Sequence, residues 1–529
     1  MTQASLAAKA EARRWWILGV LCFSLLVIVL DNSILNVAIP TLQRDLSASN
    51  SELQWMVDSY TLVFAGLLLT AGSLGDRFGR RRALQFGFAI FGIGSVLAAL
   101  SGSAEELIST RAFMGIGAAF IMPATLSIIT NVFPARDRAK AIGVWAATAG
   151  VGVALGPLTG GFLLEHFYWG SIFLVNIPIV IVGVIAGIYL IPDSRDPAAA
   201  RLDPIGAVLS IASLTALLYA VIEAPRDGWT SPTILLSFGI GGFLLASFFV
   251  WEARSAHPML DLAVFKNARF SAASGAISVT FFAMFGSIFL LTQYLQLVLG
   301  FSPLQTGVRL LAFAVPMMIL APLSAKFVEH LGAKVVVTTG LILMAVGLYL
   351  FSALDASSGT GSVVWRMAVA AAGMALTMAP STDSIMGSLP LAKAGVGSAM
   401  NDTTRQVGGA VGVAVIGSVF SSIYASKIVD LFSGAGLPGQ AIDAAKESLG
   451  AALQVAPPGS GIAAAAKNAF VDGFHSGLWV AAGAALLGAI AVARFLPARA
   501  RDEDVERQHV EYEREWGRSD SDVAAPVPT

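Results

Sequence analysis

The chain has 529 residues, of which 56% are hydrophobic and 13% charged, and its net charge is −1. A soluble globular chain carries roughly 25% charged residues, so a water-soluble fold is excluded, and the near-zero balance gives no ground for a nucleic-acid partner. The single cysteine, Cys22, excludes an intramolecular disulfide.

After a polar N-terminal segment, 1–14, an apolar run extends from Trp15 to about Ile39. It is too long for the ~7–15-residue apolar core of a signal peptide and reads as a first membrane helix. Further runs follow near 55–74, 82–101, 105–131, 138–163, 169–191, 204–222, 231–251, 271–296, 306–326, 334–353, 361–387, 395–424 and 473–496. About 20 apolar residues span the ~30 Å bilayer core at ~1.5 Å rise per residue. Segments of ~10 alternating residues, the mark of a membrane barrel, do not occur. The expected class is an all-α membrane protein with 14 spans, and an even count puts both termini on one side. That side carries most of the loop cations, among them Arg77, Arg80, Arg81, Arg82, Arg136, Arg138, Lys140, Arg201 and Lys334, while the opposite loops carry few, such as Arg44 and Lys427. Positive loops stay in the cytoplasm, so both termini are expected there, in a multi-pass protein of the plasma or inner membrane.

Offsetting the sequence by 253 residues lays the loop Asp76-Arg77-Phe78-Gly79 on Glu329-His330-Leu331-Gly332. The repeat predicts two six-helix bundles, 15–191 and 271–496, separated by a linker, 192–270, that inserts the seventh and eighth spans. An external loop over 425–472 contains an Ala-rich stretch, 438–455, suited to a surface helix, and a polar tail fills 497–529. Parallel halves of this kind support alternating access to a site near mid-membrane.

Two patterns narrow the class. Between the second and third spans stand Gly72, Gly75, Asp76, Arg77, Gly79, Arg80, Arg81 and Arg82. Gly72 permits close helix contact, Gly79 a tight turn, and Asp76 can accept from free N–H groups of a helix start or pair with an arginine. The fifth span contains Gly143, Gly152, Gly156, Pro157, Gly160 and Gly161, small residues that let a facing helix approach and a proline that removes a helix hydrogen bond. The first pattern resembles the signature loop of the major facilitator superfamily, over about 15–496; the second resembles the antiporter motif of its drug-efflux branches. The stretches 30–40, 54–60, 107–115 and 397–405 are similar to those of the 14-helix drug:proton antiporters, with Ser33 where threonine is common and Met114 where glutamine is often found. The resemblance implies the major facilitator fold, no cofactor, and proton-coupled efflux of amphipathic, often cationic, drugs or dyes. Export of one metabolite or antibiotic is the alternative.

Ionisable groups inside a bilayer are costly and usually functional. Asp31 lies ~24 Å along the first span and Arg111 ~9 Å from the outer end of the fourth, depths that nearly coincide in a ~30 Å core. Pairing of the two is therefore allowed, either as a proton-coupling device or as a static ion pair. Burial raises a carboxyl's proton affinity and a nearby cation lowers it, so gaining or losing the cation can move a proton. Asp402, with Arg405 on the same helical face, is the second proton-coupling candidate or else a local helix pair. Asp58, Tyr60, Asn401, Asp402, Arg405 and Phe285, the last from an aromatic cluster in the ninth span, are expected at the substrate site; Asp58 can instead be a solvated rim acid. Asp383 is expected at the interface, and His166, His257, His330 and His475 sit in loops or at helix ends, so a carboxylate must carry the proton. No lysine follows a glycine as in a Walker A loop, and no His-Glu-x-x-His zinc motif occurs. The sequence therefore gives no support to an ATP-driven pump or a membrane enzyme, the different-class alternatives; no metal is expected. The expected partners are small amphipathic molecules, protons and the lipid bilayer, with the chain acting as a monomer.

Overall fold

A computed structural model describes residues 3–46, 48, 50–195, 203–255, 258–456, 461–499 and 510; Arg201, His257 and nearly all of the polar tail lie outside them. Among the described residues fourteen helices are long and apolar enough to cross a membrane. The first bundle consists of α1 (Gln3–Asp45), α2 (Asn50–Phe78), α3 (Arg80–Ala99), α4 (Ala104–Val132) and α5 (Ala135–His166), with α6 (Ser171–Leu174) and α7 (Asn176–Leu190) forming the sixth span. The inserted pair is α8 (Pro204–Asp227) and α9 (Pro232–Arg254). The second bundle contains α10 (Ala268–Gln293), α11 (Pro303–Leu331), α12 (Ala333–Phe351), α13 (Thr360–Met386) and α14 (Ala394–Gly434). Two short helices, α15 (Gly439–Glu447) and α16 (Leu449–Val455), then lead to the last span, α17 (Ile462–Phe495).

Local chemistry sets where these helices start. Ser103 caps α4 by accepting from Glu106 N at 3.2 Å, and the Glu106 carboxylate accepts from Gly102 N at 2.7 Å. Ser302 and Gln305 form a reciprocal capping box at α11. Proline stands at the start of α8, α9 and α11, where its missing N–H leaves no helical bond unmade.

The two bundles meet where α5 packs on α11 and α13, and where α2 and α4 pack on α14. The inserted pair sits outside the α2–α14 seam: Leu214 and Phe248 share a small apolar cluster with Leu69 of α2 and with Val396 and Ala399 of α14. Trp229, between α8 and α9, donates to Ser418 Oγ on α14 at 3.0 Å, and Tyr219 stacks on Trp55 of α2 with ring centres 6.1 Å apart. α8 therefore touches both bundles.

Two expected loops are mostly helix. The segment from Gly72 to Arg82 is the end of α2 and the start of α3, broken only at Gly79, whose φ of 110° suits glycine. The expected external loop over 425–472 shrinks from both sides, because α14 continues through Gly434 and α17 begins at Ile462. Falling hydropathy marks where apolar sequence stops, not where a helix stops; Lys427 and Asp472 pair across these extensions. The Ala-rich stretch forms two helices rather than one, and Tyr424 of α14 donates to Ala445 O of α15 at 3.1 Å.

The repeat is visible in matching backbone contacts. Gly332 breaks α11 from α12 with φ 80°, as Gly79 breaks α2 from α3. After each break the next N–H donates to a carbonyl just beyond the sixth span of its own bundle, Arg80 N to Ser194 O at 3.0 Å and Ala333 N to Ala498 O at 2.8 Å.

Candidate functional site

The first centre lies inside the first bundle. Arg111 of α4 is fully buried and Asp31 of α1 is 2% exposed. Arg111 Nη1 donates to Asp31 Oδ2 at 2.5 Å, its Nε to Met56 O of α2 at 3.1 Å and its Nη2 to Asn32 Oδ1 at 3.4 Å. The guanidinium lies 4.3 Å from the ring centre of Tyr60, which joins the centre by stacking on it. Asp31 Oδ1 accepts from Asn176 Nδ2 at 2.9 Å, and the same amide donates to Ser95 Oγ at 3.2 Å. Both carboxylate oxygens are thus occupied, the condition under which a buried charge persists. Asp58, two residues before Tyr60, is half-buried, with one carboxylate oxygen shielded from solvent. Asn176 and Ser95 carry no acid or motif that would single them out; the one sequence signal for Asn176 is an amide in an otherwise apolar sixth span.

The second centre lies where α14 meets α13 and α5. Asp402 and Arg405 are both buried, with Nη1 and Oδ1 3.6 Å apart. Asn401 Nδ2 donates to Asp402 Oδ1 at 3.3 Å, Thr382 Oγ1 donates to Asn401 Oδ1 at 3.2 Å, and Arg405 Nη2 donates to Thr382 Oγ1 at 3.1 Å. Phe285 is 41% exposed and packs over Gly409; of the phenylalanines in α10 it is Phe281 that faces Arg405.

The signature segment ties the bundles together. Asp76 Oδ1 accepts from Gly395 N at 2.8 Å and Oδ2 from Val396 N at 3.0 Å, so the carboxylate sits on the N-terminus of α14. Arg80 donates to Asp76 at 3.0 and 2.9 Å and, across the seam, to Leu391 O at 2.8 Å and Ala392 O at 2.9 Å. A Cβ on Gly72 would lie 2.5 Å from Gly395 O, so only glycine allows this approach. Arg81 donates to Ile191 O at 3.4 Å within its own bundle, while Arg77 lies over its neighbour Phe78. Asp383, expected as an interfacial acid, accepts from Arg138 of the first bundle at 3.3 Å and lies 3.9 Å from Arg269. Arg14 pairs with Asp137 at 3.0 Å on the same face of the molecule.

The glycines of α5 serve two neighbours. Gly152, Gly156 and Gly160 face α1, where added Cβ atoms would meet Val29 at 2.7 Å, collide with Ser33 and meet Ile34 at 3.2 Å, respectively. Gly143 faces α11, 2.5 Å from Ala321 O by the same measure, and Pro157 packs on Gly307. Gly161 is not packed this way: its Cβ would make ordinary contact with Leu304 at 3.9 Å. α5 runs unbroken through Pro157. Its stripe fixes the depth of α1, hence of Asp31, while its other side bears on the second bundle.

Among the described residues, then, a multi-pass helical protein holds one buried acid–arginine centre in each bundle and a bonded Asp76–Arg80 latch at one end of the seam. The family model described as Major Facilitator Superfamily matches residues 21–413, and the chain belongs to that superfamily, a family of transporters and not of enzymes. It is 38% identical over 449 residues to the multidrug efflux pump LfrA of Mycolicibacterium smegmatis, covering 85% of this chain and 88% of that one. It is 33% identical over 507 residues to the tetracenomycin C resistance and export protein of Streptomyces glaucescens, with 94% of each chain covered. Its fold matches the solved structure of the proton:xylose symporter XylE with a TM-score of 0.60 at 17% identity, over 93% of this chain and 98% of that one. The chain is thus a multi-pass transporter close to the 14-span drug:proton antiporters.

Proposed function

We propose that this transporter is a proton-coupled multidrug exporter that moves amphipathic, often cationic, drugs or dyes out of the cell by alternating access. It works in the plasma or inner membrane as a monomer with both termini in the cytoplasm. The observation that carries this reading is the buried Asp31–Arg111 pair, in which a carboxylate deep in the first bundle has one cationic partner and one amide partner. Protonation of Asp31 would release Arg111, and loss of the proton would restore the pair. That exchange supplies a coupling step without a histidine or a cofactor. Asp402 is the second carboxyl able to take a proton or a positive charge, with Asn401 and Arg405 beside it. On this reading Asp58 and Tyr60 of α2 serve the substrate beside the first centre, where Tyr60 stacks on Arg111, and Phe285 adds aromatic surface in the second bundle. The latch at Asp76 and Arg80 then closes the cytoplasmic side of the path.

The test uses purified protein in liposomes with an imposed pH gradient and ethidium as the dye. Wild type should build a dye gradient and Asp31→Asn should not, while dye binding survives; Asp31→Glu should keep part of the activity. If Asp31→Asn still builds the gradient at matched protein levels, the carrier lies elsewhere and Asp402 is next. A second reading, export of a single antibiotic, is favoured by the likeness to the tetracenomycin C exporter. A panel of unrelated drugs separates the two: transport of one compound class only would replace the multidrug reading.

A further inference from the structure

Arg405 stands in a place that a simple ion pair does not explain. It projects from α14 of the second bundle, yet its guanidinium carbon lies 4.9 Å from the ring centre of Trp145 on α5 of the first bundle and 5.4 Å from that of Phe281 on α10. Trp145 is fully buried. The link to Asp402 is loose for a buried pair, at 3.6 Å between Nη1 and Oδ1. Arg405 Nε, Asp402 Oδ2 and Trp145 Nε1 are all buried without a hydrogen-bond partner. Buried polar atoms are normally satisfied, so this centre holds one acceptor and two donors that its own residues leave unmet. A guanidinium is a planar, delocalised and weakly hydrated cation that stacks on aromatic faces. A planar aromatic cation shares each of those properties.

We propose that Arg405 is a built-in occupant of a cation subsite. A planar aromatic cation takes the place of its guanidinium between Trp145 and Phe281 and takes over Asp402, while Arg405 turns aside. The inference rests on the proposed export of amphipathic cations and adds to it a defined subsite and a substrate shape. One carboxylate neutralises one cation; a second cation beside Asp402 with Arg405 still in place would leave a buried net charge, which is strongly disfavoured. The two cations therefore exclude each other, and each binding event must first displace the guanidinium. An occluded site binds more weakly than its geometry allows, by the fraction of time that it stands open. Removing the guanidinium should strengthen binding of the external cation, the reverse of what loss of an ordinary binding residue does.

The experiment titrates purified full-length protein with ethidium, a planar cation, and with Nile red, a planar neutral dye, by fluorescence polarisation. The ratio of the two affinities is the readout. Arg405→Gln should shift that ratio toward ethidium by on the order of tenfold, a stacking-sized change. Arg405→Lys, which keeps the charge beside Asp402, should bind ethidium no tighter than wild type. If Arg405→Gln leaves the ratio unchanged or shifts it toward Nile red, Arg405 is a structural partner and the proposal is overturned. Should Arg405→Gln fail to fold, Trp145→Leu decides, because loss of the slot wall must shift the ratio toward Nile red; an unchanged ratio refutes the subsite. Wild type that binds the dyes with no gain in Arg405→Gln removes this proposal alone. Wild type that binds neither dye removes the export reading and this proposal together.

Discussion

At the scale of single residues, the first centre depends on groups that no motif marks. Asn176 fixes one oxygen of Asp31 while Arg111 holds the other, and Ser95 in turn receives the second N–H of the amide. A hydrogen bond to a charged group contributes about 1.5–3 kcal/mol. Asn176→Leu should therefore lower proton-driven transport by an order of magnitude or more while the protein still inserts and binds dye. Liposome transport beside dye binding checks this, and equal losses in both would mean that the substitution damages the bundle. The pairing of Asp31 with Arg111 was legible in the sequence because both are charges at one depth. Asn176 was not, since amides are cheap enough in a membrane helix that position alone does not mark them. Tyr60 was expected at the substrate site, and the sequence did not mark the contact that the structure gives it, its ring centre 4.3 Å from the Arg111 guanidinium.

At the scale of elements, the signature segment acts because it is a continuous helix with one break. Gly79 adopts φ 110°, and a Cβ there would lie 2.7 Å from Asp193 Oδ1. Gly79→Val combines a forbidden backbone region with this clash, so transport should fall more than membrane insertion does; normal transport at normal expression would remove the argument. Asp76→Ala leaves Arg80 buried without its carboxylate, a loss of about 3–5 kcal/mol for a broken buried pair. It should shift the molecule away from the latched arrangement, as read by cysteine cross-linking across the α2–α14 seam. Unchanged cross-linking would show that apolar packing alone holds the seam. The sequence marked the residues of this segment through glycine spacing and a central acid, yet it read them as a loop. Charges end an apolar run, and here the helix continues through them. The link between Asp383 and Arg138 was invisible for a related reason: the partners lie 245 positions apart, and only the closed seam joins them.

At the scale of the whole molecule, one face gathers the start of α1, the α2–α3 break, the segment after α7, the α11–α12 break and the residues after α17. Arg14 meets Asp137, Gly79 meets Asp193, and Gly332 meets Ala498. This face also holds most of the loop arginines, so a tag on either terminus should be reachable by protease only after the cytoplasmic side is opened. Cleavage of both tails in intact cells would invert the assignment. The number of spans and the two-bundle plan were legible from hydropathy and the offset repeat. The seat of the inserted pair was not, because α8 and α9 are apolar nearly all round and periodicity does not say which bundle they touch. In the structure α8 touches both, through Leu214 beside Val396 and Tyr219 on Trp55.

The latch is also lopsided in what heredity can change. On the first bundle it uses side chains, Asp76 and Arg80; on the second it uses main-chain atoms alone, the N–H groups of Gly395 and Val396 and the carbonyls of Leu391 and Ala392. Outside Gly395, where an added Cβ would lie 2.6 Å from Asp76 Oδ1, substituting side chains along 391–396 alters no donor or acceptor of the latch, so selection retunes its bond network mainly from the first bundle. Proline is a further exception. Val396 lies in the first turn of α14, where N–H groups have no helical acceptor and proline is tolerated. Val396→Pro would delete one donor to Asp76 and keep the helix. It should reproduce part of the Asp76→Ala shift in cross-linking, whereas Val396→Ala, which keeps the N–H, should not. Matching behaviour of the two Val396 variants would mean that side-chain packing, not the main chain, sets the strength of this contact.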